Sequence, residues 1–459
     1  MAAAARSGGA LLALSLLVAW LLLGVVEARA SYRGGPRSYS ASPRRSSANP
    51  DRIIRMTNKA PKAGKKLLIK KKYGNTGTDL LGRAAADNAG FVVYNVTVGS
   101  GATATNFSGV VDIAGELIWG QCPSPPAPAF SRIPCASQTC LSVLNVTAAD
   151  CASANATVCD YIIDYGLGMN TTGYFSEETF TVDVGAVARP VVFGCTTAST
   201  VPLDGESGVI GFSRGAYSLM SQLNISRFSY FLAPDDADSS DSESVVLLAD
   251  DAVPQTRRSS STPLLRSAAY PDFYYVKLTS IQVDGVALDG IPVGAFDLSA
   301  GGESGGAVMT TLSPVTYLHS AAYAAVRRAL VSKIKSAPVN GSALDGGVFD
   351  LCYNTLSVAN LTFPKITFVL GTATMDLTTV HYFYKDNTTG LQCLTMLPMP
   401  AGQPFGSILG SLLQTGTHMI YDVDGGQLTF ETAAATLAGK QVSLGVIASL
   451  LLAWVLLIF

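Results

Sequence analysis

From residue 91 onward one pattern recurs: apolar and polar residues alternate over short runs, and each run stops at a turn residue. Phe91-Val92-Val93-Tyr94-Asn95-Val96-Thr97-Val98 ends at Gly99, Val110-Val111-Asp112 precedes a turn, and the run from Tyr274 to Val283 ends at Asp284-Gly285. Period-two alternation bounded by Gly, Asn and Asp predicts half-buried β-strands. One segment departs from it: Tyr323, Val326, Leu330 and Ile334 share a helical face, which predicts a helix between Ser320 and Ser336. A shorter helix is expected near Ser218 to Leu223. The pattern as a whole predicts an all-β chain with few short helices.

Length and composition add domain count. A chain of 459 residues with 48% hydrophobic and 14% charged residues is long enough for two buried cores, which excludes a disordered or fibrous protein. The run Asp235 to Ser244 is acidic and Ser-rich and reads as a solvated loop. A second compositional break falls at Asp250 to Thr262, so the body divides into an N-terminal lobe, 86–262, and a C-terminal lobe, 263–432.

The two ends are unlike the body. Residues 1–30 read as a signal peptide: Arg6 supplies charge, Ala10 to Val26 is apolar, and Ala28-Arg29-Ala30 offers a small-x-small cleavage site. Residues 31–85 form a basic prosegment or linker, with 14 Lys and Arg against Asp51 and Asp79, ahead of an acidic body. Such a leader suits an electrostatic partner within the chain, and secretion argues against nucleic acid as the target of Lys70-Lys71-Lys72. In residues 433–459, Ala433, Ala434 and Ala435, a polar spacer and the apolar stretch Val442 to Phe459 have the layout of a lipid-anchor attachment signal. The alternative is a retained transmembrane helix, but no basic cytoplasmic flank orients one. The expected location is the extracellular face of the plasma membrane or the cell wall.

Eight cysteines suit disulfides in an oxidising compartment, although spacing alone leaves 105 connectivities. Nine Asn-x-Ser/Thr acceptors begin at Asn95, Asn106, Asn145, Asn155, Asn170, Asn224, Asn340, Asn360 and Asn387 and predict a glycoprotein.

A more specific signal lies in Phe107-Ser108-Gly109-Val110-Val111-Asp112-Ile113-Ala114-Gly115-Glu116-Leu117-Ile118-Trp119. This run resembles the first active-site loop of the nepenthesin-like branch of the pepsin-like aspartic proteases. Further landmarks follow in that family's order, among them Tyr161-Ile162-Ile163-Asp164-Tyr165-Gly166, Gly208-Val209-Ile210-Gly211, Phe273-Tyr274-Tyr275-Val276 and Ser407-Ile408-Leu409-Gly410. The resemblance spans roughly Phe91 to Phe430 and implies a bilobal pepsin-like fold with one catalytic aspartate from each lobe. It also implies cystine pairs Cys122–Cys195, Cys135–Cys159, Cys140–Cys151 and Cys352–Cys393.

In that family two carboxylates share a proton across the cleft, so that one activates water while the other donates to the substrate carbonyl. Here Asp112 occupies the first position, but Thr310, in Ala307-Val308-Met309-Thr310-Thr311-Leu312, occupies the second. Ile113 removes a bracing hydroxyl, and Ala114, Gly115 and Leu312 also depart from the pattern, so bracing and close approach are expected to be lost in both loops. A lone Asp112 lacks the partner that raises one pKa of a dyad and is expected to ionise. Glu303, Asp297 and Asp345 are not in an equivalent context and read as surface or turn residues.

Peptide hydrolysis is therefore not expected, with a residual aspartic endopeptidase as the alternative. Tyr165 at the flap position and Trp119 behind it suggest a groove for an extended peptide. Asp112-Ile113-Ala114-Gly115 with Met309-Thr310-Thr311 also resembles the plant xylanase inhibitors, so a secreted hydrolase is a second candidate partner. Gly302-Glu303-Ser304-Gly305-Gly306 fits a Ser-hydrolase elbow only as a bare pattern, since His319, His381 and His418 are the available bases. No metal-ligand spacing and no cofactor motif is present, and the chain is expected to be a monomer.

Overall fold

The computed structural model describes residues 39–41, 70–72, 93–100, 104–122, 131–166, 169–182, 187–201, 206–233, 244–256, 259–339, 349–386 and 389–432. The signal-like residues 1–30, the anchor-like residues 433–459, most of the basic leader, and Asn340, Asn387 and Asp345 lie outside them. The described strands form four sheets, and the fold is the expected bilobal, all-β one with few short helices.

A nine-stranded sheet carries the first lobe. The largest sheet joins the lobes: the first-lobe strands Arg227–Phe231 and Ser244–Leu248 continue into the C-terminal strands Thr417–Asp422 and Gln427–Thr432. Strand Ser260–Leu265 follows in the same sheet and runs across residues 262 and 263, pairing first with Gln427–Thr432 and then with Tyr275–Val276. The chain therefore passes between lobes as a hydrogen-bonded strand.

Each lobe repeats one three-strand unit. In the first, Gly208–Gly211 lies parallel to Thr105–Asp112 and antiparallel to Trp119–Gln121. In the second, Ser407–Leu409 lies parallel to Ala307–Met309 and antiparallel to Thr316–Leu318. Strands Gly208–Gly211, Ala307–Met309, Thr316–Leu318 and Ser407–Leu409 are buried along their length, which explains their largely apolar sequences: with both faces covered, alternation gives way to continuous apolar runs.

The helix runs Ser320–Lys333, close to the predicted span, with His319 at its N-cap. The shorter one is Leu219–Leu223, capped by Ser218 and ended by Asn224 in the left-handed conformation. The run from Tyr274 divides at Lys277: Tyr275–Val276 belongs to the inter-lobe sheet, whereas Leu278–Val283 pairs with Ile366–Leu370. It ends at Asp284 and Gly285, both at positive φ, as expected of a tight hairpin turn.

Four described helices escaped the periodicity, Gln138–Leu144, Ala148–Ser153, Thr355–Val358 and Thr379–Tyr382, and the first two correct the disulfides. The bonds are Cys135–Cys151 and Cys140–Cys159, not Cys135–Cys159 and Cys140–Cys151; Cys122–Cys195 and Cys352–Cys393 form as expected. The reason is register. Around the Pro134–Val158 bridge, the Cys135 N–H bonds to the Thr157 carbonyl and the Cys159 N–H to the Ile133 carbonyl. Cys135 and Cys159 are thus diagonal neighbours, a relation that spans ~7–8 Å, beyond the reach of a disulfide. The helices instead bring Cys151 to Cys135 and Cys140 to Cys159, at Cα separations of 5.8 and 5.7 Å.

Candidate active-site cleft

Asp112 is the last residue of strand Thr105–Asp112 and is buried. Its Oδ1 accepts the Ala114 N–H at 3.0 Å, and its carbonyl accepts the N–H groups of Gly115 at 3.2 Å and Phe212 at 2.8 Å. Gly115 makes room for the carboxylate, since a Cβ there would lie 2.5 Å from Asp112 Oδ2. A glycine thus stands where the loop folds back over its own acid.

Thr310 follows strand Ala307–Met309 in the matching place of the second lobe and is equally buried. Its Oγ1 accepts the Leu312 N–H at 3.3 Å, as Asp112 Oδ1 accepts that of Ala114. The backbone role of the carboxylate is thus kept by a hydroxyl, but the charge is not. Gln414 Nε2 donates to the Thr310 carbonyl at 2.9 Å, and its Oε1 accepts the Tyr230 hydroxyl.

The expected loss of bracing in both loops is only half right. Thr311 Oγ1 donates to the Val111 carbonyl at 2.7 Å and accepts the Ile113 N–H at 3.2 Å, clasping both sides of Asp112 from the opposite lobe. The reciprocal hydroxyl is absent because Ile113 stands there, fully buried among apolar neighbours. Leu312 is likewise buried, so the second loop has filled with hydrocarbon the space a glycine would leave.

Trp119 is 1% exposed and packs in a core that includes Tyr161 and Phe175. Tyr165 lies on strand Asp160–Gly166, and its side chain falls outside the described set. Glu303 and Asp297 are exposed surface residues. Ser304 is followed by strand Ala307–Met309, without the helix an elbow requires. Among the described residues no group of three His, Cys, Asp or Glu side chains is placed to hold a metal.

Sequence reading missed Thr311 and Gln414. The lone amide in the buried turn Leu412-Leu413-Gln414 was the available signal for the second, because a buried polar side chain requires partners.

Residues 94–250 match the family model described as xylanase inhibitor N-terminal, and residues 273–432 the one described as xylanase inhibitor C-terminal. Aspartic proteinase nepenthesin-1 of Nepenthes gracilis is 32% identical over 362 residues, covering 75% of this chain and 78% of that one. Among solved structures, the one titled edgp matches with a TM-score of 0.58 at 17% identity, covering 77% of this chain and 93% of that chain. The aspartic proteinase from Irpex lacteus matches with a TM-score of 0.53 at 18% identity, covering 76% and 96%. Both structural matches speak to the fold alone.

Proposed function

We propose that this chain, which belongs to the plant pepsin-like aspartic protease family, binds an extended peptide or a secreted protein and does not cleave it. The observation that carries this reading is Thr310. General acid–base hydrolysis in this fold requires two carboxylates that hold one proton between them, and a threonine hydroxyl neither ionises near neutral pH nor raises the pKa of its neighbour. The second-lobe loop offers no substitute, because the nearby Glu303 and Asp297 are exposed. The experiment is retention of a peptide mixture and of secreted proteins on the immobilised body of the chain at pH 4 to 7. Recovery of bound species intact supports the reading; fragments cut between apolar residues contradict it.

A second reading has one specific support: both halves of the body match models described by the words xylanase inhibitor. On this reading the bound partner is a secreted glycosidase, and inhibition of xylan hydrolysis by the purified protein tests it.

The placement we propose is extracellular. The apolar leader with its small-x-small site, the acceptor tripeptides and the disulfides support secretion, and the apolar C-terminal stretch behind small residues and a polar spacer supports lipid anchorage.

A further inference from the structure

Asn224 ends helix Leu219–Leu223 in the left-handed conformation, at φ 55° and ψ 45°. Its backbone N–H donates to the Ser221 carbonyl at 3.2 Å and that of Ile225 to the Met220 carbonyl at 2.8 Å, so the backbone caps the helix while the Asn224 side chain stays exposed. Asn224-Ile225-Ser226 is one of the acceptor tripeptides, and it is also the connector from this helix to strand Arg227–Phe231 of the inter-lobe sheet.

All three residues of the tripeptide wall a cavity of about 350 Å³, and other walls, Arg266, Val423 and Asp424, come from the second lobe. Beside it the lobes are pinned together: the Ser226 carbonyl accepts the Val423 N–H at 2.8 Å, and Arg227 pairs with Asp422 at 3.0 Å. The lining is mixed. Ile225 and Val423 are partly buried hydrocarbon, whereas exposed Ser221 and Asp424 offer a hydroxyl and a carboxylate. Such walls suit an uncharged, amphipathic guest that turns C–H groups to the hydrocarbon and hydroxyls to the polar residues.

We propose that Asn224 carries an N-glycan and that its first N-acetylglucosamine lies in this cavity, bridging the two lobes. The inference rests on the extracellular placement of the chain. The sugar is joined to the wall itself, so it reaches the cavity without leaving its anchor. Ser221 and Asp424 serve its hydroxyls and amide, and Ile225 and Val423 its ring C–H groups. Because the guest is tethered, its effective concentration is about millimolar or more, and contacts too weak to hold a free sugar suffice.

Asn145 is an internal control. It ends helix Gln138–Leu144 in the same conformation, at φ 53° and ψ 52°, begins an acceptor tripeptide and is exposed, but it does not line this cavity. The test uses the full chain secreted from eukaryotic cells whose N-glycans are held in the oligomannose form. Endoglycosidase H, which cuts beyond the first N-acetylglucosamine, is applied to the native protein, and glycopeptide masses follow each site. We expect Asn145 to be trimmed about tenfold faster than Asn224, where the enzyme must wait for the sugar to leave its seat. Unfolding before digestion should abolish the difference, and Asp424→Ala, on the second lobe, should narrow it. Ser226→Ala removes the modification but keeps the Asn224 cap, and its thermal midpoint should fall by a few degrees; Ser226→Thr, which keeps the tripeptide, should retain both glycan and midpoint. An unmodified Asn224 beside a modified Asn145, equal trimming of the two sites in the native protein, or a Ser226→Ala midpoint equal to wild type overturns the proposal. Glycans at no site would overturn the extracellular placement with it.

Discussion

Thr311 and Val111 are joined across the two lobes: the threonine hydroxyl donates to the Val111 carbonyl at 2.7 Å while accepting the N–H of Ile113. The lobe that carries Thr310 grips the one that carries Asp112. Thr311→Val removes that grip in an isosteric side chain and strands a carbonyl and an N–H in a buried place. The expected loss is on the order of 2 kcal/mol, read as a fall in the denaturant midpoint at unchanged slope. A midpoint equal to wild type shows the contact to be without weight.

Restoring one carboxylate is not expected to restore catalysis. Thr310→Asp places an acid beside Leu312 and opposite Ile113, both buried where the family pattern has glycine and a hydroxyl. Cleavage of denatured protein substrate at acid pH should stay at background in this variant. The combination with Ile113→Thr and Leu312→Gly is the one expected to show activity. Turnover by Thr310→Asp alone would show that the surviving Thr311 contact positions the pair sufficiently.

Stability should fall on mild acidification through His418. This side chain is buried in the inter-lobe sheet, with Nε2 at 2.9 Å from Ser229 Oγ and Nδ1 at 3.9 Å from Glu431. Burial lowers its pKa below the usual 6.5, with Glu431 opposing. The folded state thus favours the neutral ring: its contribution is present above pH 6.5 and is lost as pH falls through the depressed folded value. His381 is shifted the same way, by burial opposed by backbone carbonyls at Thr415 and Thr378. Thermal midpoints should decline below pH 6.5, and more shallowly in His418→Asn; identical profiles would remove His418 from the explanation.

The crossed cystines make a thiol-counting prediction. Cys135→Ser with Cys151→Ser removes one complete bond, so no free thiol should be titrated in the unfolded protein. Cys135→Ser with Cys159→Ser breaks two bonds and should leave two half-cystines to appear as thiols or as a mispaired bond. The reverse outcome would restore the nested pairing.

The proposed anchor predicts that phosphatidylinositol-specific phospholipase releases the protein from intact cells, with a mature C-terminus upstream of Val442. Retention on the membrane after treatment would favour a spanning helix.

Much of the fold was legible because its signals are local. The turn at Asp284-Gly285, the cap at Ser218 and the face formed by Tyr323, Val326 and Leu330 each declare themselves within a few residues. Asp112 and Thr310 were legible because each closes an apolar run that the family resemblance aligns. What was hidden depends on distant partners. Nothing near Thr311 announces that its hydroxyl serves a carbonyl 200 residues earlier. The division at Lys277 is set by two different partner strands, and the cystine pairing by the Pro134–Val158 register. In each case the local sequence was compatible with more than one answer, and tertiary contacts chose.

Hydrolysis itself is assayed by cleavage of acid-denatured protein by the purified chain between pH 2.5 and 5, with and without pepstatin, beside an Asp112→Ala control. Wild type and Asp112→Ala are both expected to be indistinguishable from buffer. Pepstatin-sensitive cleavage by the wild type that disappears in Asp112→Ala would contradict it.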